Sequence, residues 1–348
     1  MTKEIIFGIV GGLGLFIYGI WQMSEGLHKA SGQKMRNFLH NLTGGPKRGV
    51  IVGAVVTSLV QSSSATTVMV VGFVNAGLMT LVQALGVIFG ANIGTTVTAQ
   101  LIAFKLTDYA LPVIGLGMLV IFLSKKKAHK YVGEFLMGFG ILFLGLSILT
   151  SVVKPLGQIP AFSNLFVTFS TNPLLAILAA AVVTAIVQSS SVTTGMVLSL
   201  SMANLIDLRA ALPLILGCNI GTCATALIAS IGTSITAKRA SAAHILFNLA
   251  GVLIFLPFLN LFHNLVIRTS ASLPRQIANA HTLFNVINTV IFIPFIPLFA
   301  RLLNKLIKGE EEEEMEYLPK YLERHLLNTP AIAIEAAIKE IIRTLSLT

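Results

Sequence analysis

Residues 56–67 read VTSLVQSSSATT, and residues 183–194 read VTAIVQSSSVTT. Each stretch sets a glutamine and three serines into an apolar run. From Gly49 through Phe104, and again from Pro173 through Ile206, there is no Asp, Glu, Lys, Arg or His. The arms flanking the first polar knot, 49–60 and 65–80, are each too short to cross a bilayer comfortably, because a helical span takes about 20 apolar residues. Backbone broken at membrane depth is tolerated only where protein or water satisfies its polar groups. The pattern therefore predicts two re-entrant broken-helix hairpins, over 49–80 and 173–206.

The composition agrees with a membrane setting. Of 348 residues 55% are hydrophobic and 11% charged, where a soluble domain carries about 25% charged residues. Further apolar runs fall at 5–24, 82–104, 109–123, 131–150, 209–231, 245–262 and 283–300. The first lacks the basic lead-in and small-residue cleavage site of a signal peptide. The net charge of +10 sits in short connections between runs, where bases act as orientation signals, so nucleic-acid binding is not expected. Cys218 and Cys223 stand where the first copy has Ala91 and Thr96, and are expected as small packing residues, not a metal or disulfide pair.

The knots belong to a larger duplication. With a shift of 127 residues, GANIGTTVTA (90–99) falls on GCNIGTCATA (217–226), and Pro46 falls on Pro173. With a shift of 126, GLGLFIYG (12–19) resembles GFGILFLG (138–145). Two copies, roughly 5–123 and 131–257, make up most of the chain. A hairpin leaves three spans per copy, an odd number, so the second copy is expected upside down. This places the basic loops 28–48 and 124–130 on one side with Lys238, Arg239 and Arg301, as the positive-inside rule requires. Arg268 and Arg275, in the 263–277 loop, fall on the other side. The expected fold is all-α and integral to the membrane, with inverted repeats, about seven full spans and two hairpins. The expected domains are repeat 1 over 1–127, repeat 2 over 128–262, an additional membrane helix over 263–308, and a cytoplasmic segment over 309–348.

The knots suit an anion. A second arm that starts at the hairpin tip presents free N–H groups and the positive end of its dipole, and serine hydroxyls add donors. Carbonyls ending the first arm, with hydroxyl and amide oxygens, suit a hard cation. Thr95 with Thr98, and Thr222 with Thr225, lie at i and i+3 on one helix face, and their oxygens can complete a cation shell. Near the end, AHILFN (243–248) and AHTLFN (280–285) are followed by IFLPF (254–258) and IFIPF (291–295). His and Asn at i and i+4 are expected to make an interhelical hydrogen bond ahead of a proline kink; a proton relay is the alternative. No nucleophile–base pair is visible, and an enzyme is not expected.

At QSSS (61–64 and 188–191) and NIGT (92–95 and 219–222) the chain resembles the type II sodium–phosphate cotransporter family, in particular its bacterial members, from about residue 5 to 300. The resemblance implies sodium-driven symport of inorganic phosphate, with sodium as coupling ion and no other cofactor. It implies a phosphate site lined by Gln61, Ser62, Ser63, Ser64, Gln188, Ser189, Ser190 and Ser191. It implies sodium near Ser189, Ser190, Ser191, Thr222 and Thr225; Thr95 and Thr98 match equally well, and Asn92 and Asn219 are expected to support the site. An uncoupled anion channel or facilitator, and a membrane phosphate sensor or scaffold, are the rival functions. The expected location is the cell membrane with the C-terminus cytoplasmic, and homo-oligomerisation is left open. Glu310–Glu314 reads as a solvated linker, and the tail from Leu318 resembles the opening of a PhoU-like helical domain.

Overall fold

A computed structural model describes residues 2–40, 45–104, 106–309 and 330–347, and among these all regular structure is helical. Residues 1–308 form one compact unit. Its long helices are α1 (Thr2–His40), α4 (Leu81–Ile102), α6 (Lys127–Val153), α10 (Leu208–Ala229), α11 (Ile235–Phe255) and α13 (Leu273–Phe292). The shorter ones are α2 (Pro46–Val60), α3 (Ser63–Asn75), α5 (Ala110–Leu123), α7 (Pro160–Thr171), α8 (Pro173–Val187) and α9 (Ser190–Met202). Beyond α11 and α13 the chain continues, through one 3₁₀ turn each, into α12 (Leu259–Val266) and α14 (Ile296–Leu306).

Among the described residues seven segments are long and apolar enough to cross a membrane: Lys3–Ala30, Leu81–Ile102, Leu106–Leu123, Lys127–Gln158, Leu208–Ala229, Ile235–Thr269 and Leu273–Leu306. The protein is an all-α, multi-pass membrane protein. Two hairpins, α2–α3 and α8–α9, break at the QSSS knots as expected.

Several boundaries differ from the sequence reading. The presumed 28–48 loop is helical as far as His40, because Ala30, Gln33, Lys34, Met35, Arg36 and Leu39 are good helix formers that outweigh one glycine. The 124–130 loop shrinks to Ser124–Lys126, and the 263–277 loop to Ser270–Ser272, with Arg275 in the first turn of α13. An element was also missed. α7 precedes the second hairpin and bends by 112° into α8. Its Phe162, Phe166 and Phe169 run along one face, with neighbouring rings 5.2 and 6.1 Å apart, and Asn172–Pro173 ends it. The acidic run and the start of the tail lie outside the described residues. Beyond them α15 (Pro330–Leu347) begins with proline in its first turn.

Reciprocal contacts relate the two repeats. The Gly19 backbone lies against Leu142, and the Gly145 backbone against Phe16. Gly12 lies against Leu149, and Gly138 against Met23. Each pair maps onto the other by the shift of 126, so i meets j and j meets i, as around a twofold axis. Three spans per repeat put α1 and α6 in opposite directions, and that axis therefore lies in the membrane plane.

Close glycine packing fixes each hairpin to its neighbouring span. A Cβ on Gly94 would stand 2.5 Å from the Ala54 carbonyl and 2.7 Å from the Thr57 Cβ. In the second repeat Gly221 lies in the same way against the Ala181 carbonyl and Thr184. The NIGT glycines thus permit close approach of α2 to α4 and of α8 to α10. They do not unwind these helices, which run unbroken through them.

Candidate substrate and cation site at the paired QSSS turns

Both knots adopt one backbone geometry. Gln61 ends α2 in the left-handed region, at φ 59° and ψ 21°, and Gln188 ends α8 at φ 58° and ψ 22°. A left-handed glutamine is uncommon and marks a conformation held by its surroundings. The next residue turns the chain out: Ser62 (φ −146°, ψ 104°) caps α3, and Ser189 (φ −146°, ψ 108°) caps α9. Their hydroxyls accept from the backbone N–H of Ala65 at 3.1 Å and of Val192 at 3.4 Å. The first-turn N–H groups of Ser63, Ser64, Ser190 and Ser191 have no intrahelical acceptor and make no bond among the described residues.

The two tips meet. The Ser64 hydroxyl donates to the Gln188 carbonyl at 3.5 Å, although 124 residues separate them. Each second arm also crosses to the other repeat: α3 packs on α10, and α9 on α4. Ser63, Ser190 and Ser191 are buried, while Ser62, Ser64 and Ser189 are half-buried. Two helix N-termini with their serines therefore converge, and no ionisable side chain of either hairpin accompanies them.

The threonines differ between the repeats. Thr95 donates back to the Ala91 carbonyl at 3.2 Å, and Thr222 to the Cys218 carbonyl at 2.9 Å, which leaves both oxygens with free lone pairs. Thr98 donates to Gln61 Oε1 at 2.6 Å, whereas the Thr225 hydroxyl is buried without a partner. Thr57 donates to Thr66 across the first hairpin at 3.0 Å, whereas its counterpart Thr184 makes no such bond and, with Thr194, lies beside the Cys218 thiol; the Thr67 hydroxyl is buried without a partner. These five threonines escaped the sequence reading. The shift of 127 carries the signal for them, because Thr57 falls on Thr184 and Thr67 on Thr194.

Asn92 and Asn219 belong to a pair of buried fasteners. Asn248 Nδ2 donates to the His244 carbonyl at 2.9 Å, which turns its Oδ1 toward Asn92 Nδ2 at 3.2 Å. Asn92 Oδ1 then faces His244 Nε2 at 3.2 Å. The carbonyl can only accept, so the chain of donors assigns the proton to Nε2. The second repeat repeats the arrangement. Asn285 Nδ2 donates to the His281 carbonyl at 2.9 Å, Asn219 Nδ2 to Asn285 Oδ1 at 3.4 Å, and His281 Nε2 to Asn219 Oδ1 at 3.1 Å. The histidine echo is thus the interhelical bond expected, joining α11 to α4 and α13 to α10. The cysteines are free and buried, and Cys223 joins the first fastener by donating to the His244 carbonyl at 3.4 Å.

The Na+/Pi-cotransporter family model matches residues 15–151 and 158–287. The chain belongs to the Na+/Pi-cotransporter family. It is 34% identical over 264 residues to the "Uncharacterized protein YqeW" of Bacillus subtilis, covering 76% of this chain and 86% of that one. It is 28% identical over 336 residues to the "Putative inorganic phosphate export protein YjbB" of Escherichia coli, covering 96% of this chain but spanning only 62% of the length of that relative. Over 144 residues it is 38% identical to the human "Sodium-dependent phosphate transport protein 2B", 38% of this chain and 21% of that one. No solved structure matches. The resemblance carried by QSSS and NIGT therefore holds for the family as a whole. The family is one of transporters.

Proposed function

We propose that this chain is a secondary transporter that carries inorganic phosphate across the cell membrane together with sodium. The observation that carries this reading is the meeting of the two knots at Ser64 and Gln188. Two helix starts with unspent N–H groups and hydroxyls can surround a tetrahedral oxyanion from both sides. The contacting residues are Gln61 to Ser64 and Gln188 to Ser191. Neither knot supplies a fixed positive charge, so a co-bound cation offsets the anion. Sodium takes oxygens from Ser189 to Ser191, Thr222 and Thr225; the buried, unpartnered Thr225 hydroxyl favours the second repeat over Thr95 and Thr98. No organic cofactor is required. The basic connections favour a cytoplasmic C-terminus, and we take repeats over 1–127 and 128–262, an additional membrane helix over 263–308 and a tail over 309–348 as the working units.

Labelled phosphate uptake into proteoliposomes, under an imposed sodium gradient, proton gradient or none, tests this. Concentrative uptake is expected with inward sodium alone. Equal uptake without a gradient would replace symport by a facilitator. Export is the second reading, favoured by the printed name of a relative that aligns over 96% of this chain. Vesicles loaded with phosphate decide it: efflux that runs against an inward sodium gradient would mean export by another coupling.

A further inference from the structure

We propose that Gln61 and Gln188 are alternating gate residues of the transport site, each closing its own repeat onto Thr98 or Thr225, with one closure formed at a time. This rests on the transport reading above. In the first repeat the gate is shut. Gln61 is buried, its Oε1 accepts from Thr98 at 2.6 Å, and its Nε2 donates to the Ser58 carbonyl. The hairpin behind it is knit by the Thr57–Thr66 bond at 3.0 Å. In the second repeat every equivalent bond is missing. Gln188 is exposed, the Thr225 hydroxyl is buried without a partner, and Thr184, beside the Cys218 thiol, makes no bond to Thr193.

The sequence does not impose the difference at the two glutamines, although beside Thr184 it has Cys218 where the first repeat has Ala91. Thr225 stands where Thr98 does, and the Ala185 carbonyl stands where the Ser58 carbonyl does. The backbone does not impose it either, because the two glutamines agree within a degree in φ and ψ. Closing the second gate would satisfy a buried hydroxyl now left without a bond. The tips also touch, Ser64 to the Gln188 carbonyl, so a change at one knot is felt at the other. Two inverted repeats that exchange conformations open a midplane site to opposite faces in turn. Gln61 shut and Gln188 open is one of the two end states.

The test uses the full chain with Cys218→Ala and Cys223→Ala, which removes both of its cysteines. Single reporters are then placed beside the gates as Val60→Cys, 9% exposed, and Val187→Cys, 37% exposed. A charged, membrane-impermeant methanethiosulfonate is applied to right-side-out and inside-out vesicles in sodium-free choline buffer, so that cation binding at Thr225 does not enter. The reporter at 187 should react from one face, and the reporter at 60 only slowly and from the other. Thr98→Val should speed modification at 60 about fivefold and slow it at 187, the effect of one net hydrogen bond. Thr225→Val should move both rates the opposite way, and Thr98→Ser, which keeps the hydroxyl, should match the parent. Rates that do not change, that move together, or that show 187 inert from both faces in a monodisperse protein would overturn the gate. Loss of sodium-driven uptake in the cysteine-free parent would overturn the transport reading instead, and the reciprocal labelling would still decide the gate.

Discussion

The fasteners make a quantitative prediction that separates the two repeats. His244 is fully buried and Asn92 nearly so, and their bond of 3.2 Å is Asn92 Oδ1's only hydrogen bond. His244→Leu keeps an apolar side chain in the space but leaves Asn92 Oδ1 buried and unpaired. The loss is about 1 kcal/mol for the net bond plus about 1–3 kcal/mol for the orphaned acceptor. Asn92→Ala removes the same bond from the other end. The double variant pays for the lost bond only once, so a double-mutant cycle should give a coupling of about 1–2 kcal/mol between Asn92 and His244. The His281 bond goes to Asn219 at 3.1 Å and shares no partner with Asn92. The Asn92–His281 cycle should therefore be additive to within about 0.5 kcal/mol. With His281→Leu as the second histidine variant, equilibrium unfolding by SDS in mixed micelles, followed by circular dichroism, measures the parent and the five variants of the two cycles. Equal coupling for the two histidines, or none for either, would show that the fasteners are not the independent pairs drawn here.

Three further outcomes are expected. Ser63→Ala and Ser190→Ala keep the packing of these buried residues and remove one donor to an anion; at about 1.5–3 kcal/mol per charged hydrogen bond, phosphate affinity should fall roughly ten- to a hundredfold, and unchanged affinity would make the serines packing devices. Thr222→Val removes an oxygen whose proton is already committed to the Cys218 carbonyl, so sodium affinity should fall more than phosphate affinity measured at saturating sodium, and an unchanged sodium dependence would leave Thr222 as a packing residue. Gly94→Leu and Gly221→Leu push side chains into the backbones of α2 and α8, an overpacking cost of at least about 1–3 kcal/mol, seen as lower detergent stability; wild-type stability in both would contradict the close approach.

Much of the architecture could be read from the sequence because duplication repeats a signal that would be ambiguous alone. One polar knot in an apolar run can be a packing accident. Gln61 and Gln188, each 31 residues before an NIGT asparagine, cannot both be. The histidines were legible for the same reason, since the AHxxFN echo is doubled. What stayed hidden was whatever breaks the duplication. By the shift of 127, α7 falls on 33–44, where QKMRNFLHNLTG has little likeness to PAFSNLFVTFST, so the alignment of the halves does not point to it. The full length of α1 was hidden by Gly32 and a cluster of bases, which look like a loop although the helix formers around them prevail. Most hidden was the unequal state of Gln61 and Gln188, because identical residues with identical backbone angles carry no sequence trace of which side chain is bonded.

The absence of fixed charge at both knots bears directly on coupling. A helix N-terminus stabilises an anion by about 0.3–1 kcal/mol, and up to about 2 kcal/mol when partly buried. Two such ends at the meeting knots supply a few kcal/mol at most, set against the cost of taking an anion out of water. A sodium ion about 5 Å from the anion contributes about 3 kcal/mol per unit charge at an effective dielectric near 20. That is on the order of a hundredfold in affinity. By linkage, phosphate raises the affinity for sodium by the same factor, so neither ion binds well alone. A lysine or arginine at the knots would supply the same attraction permanently and let phosphate bind without sodium. Serine, threonine and glutamine supply direction without charge. The sequence from Gly49 to Phe104 and from Pro173 to Ile206 therefore leaves the decisive charge to an ion that arrives with the substrate.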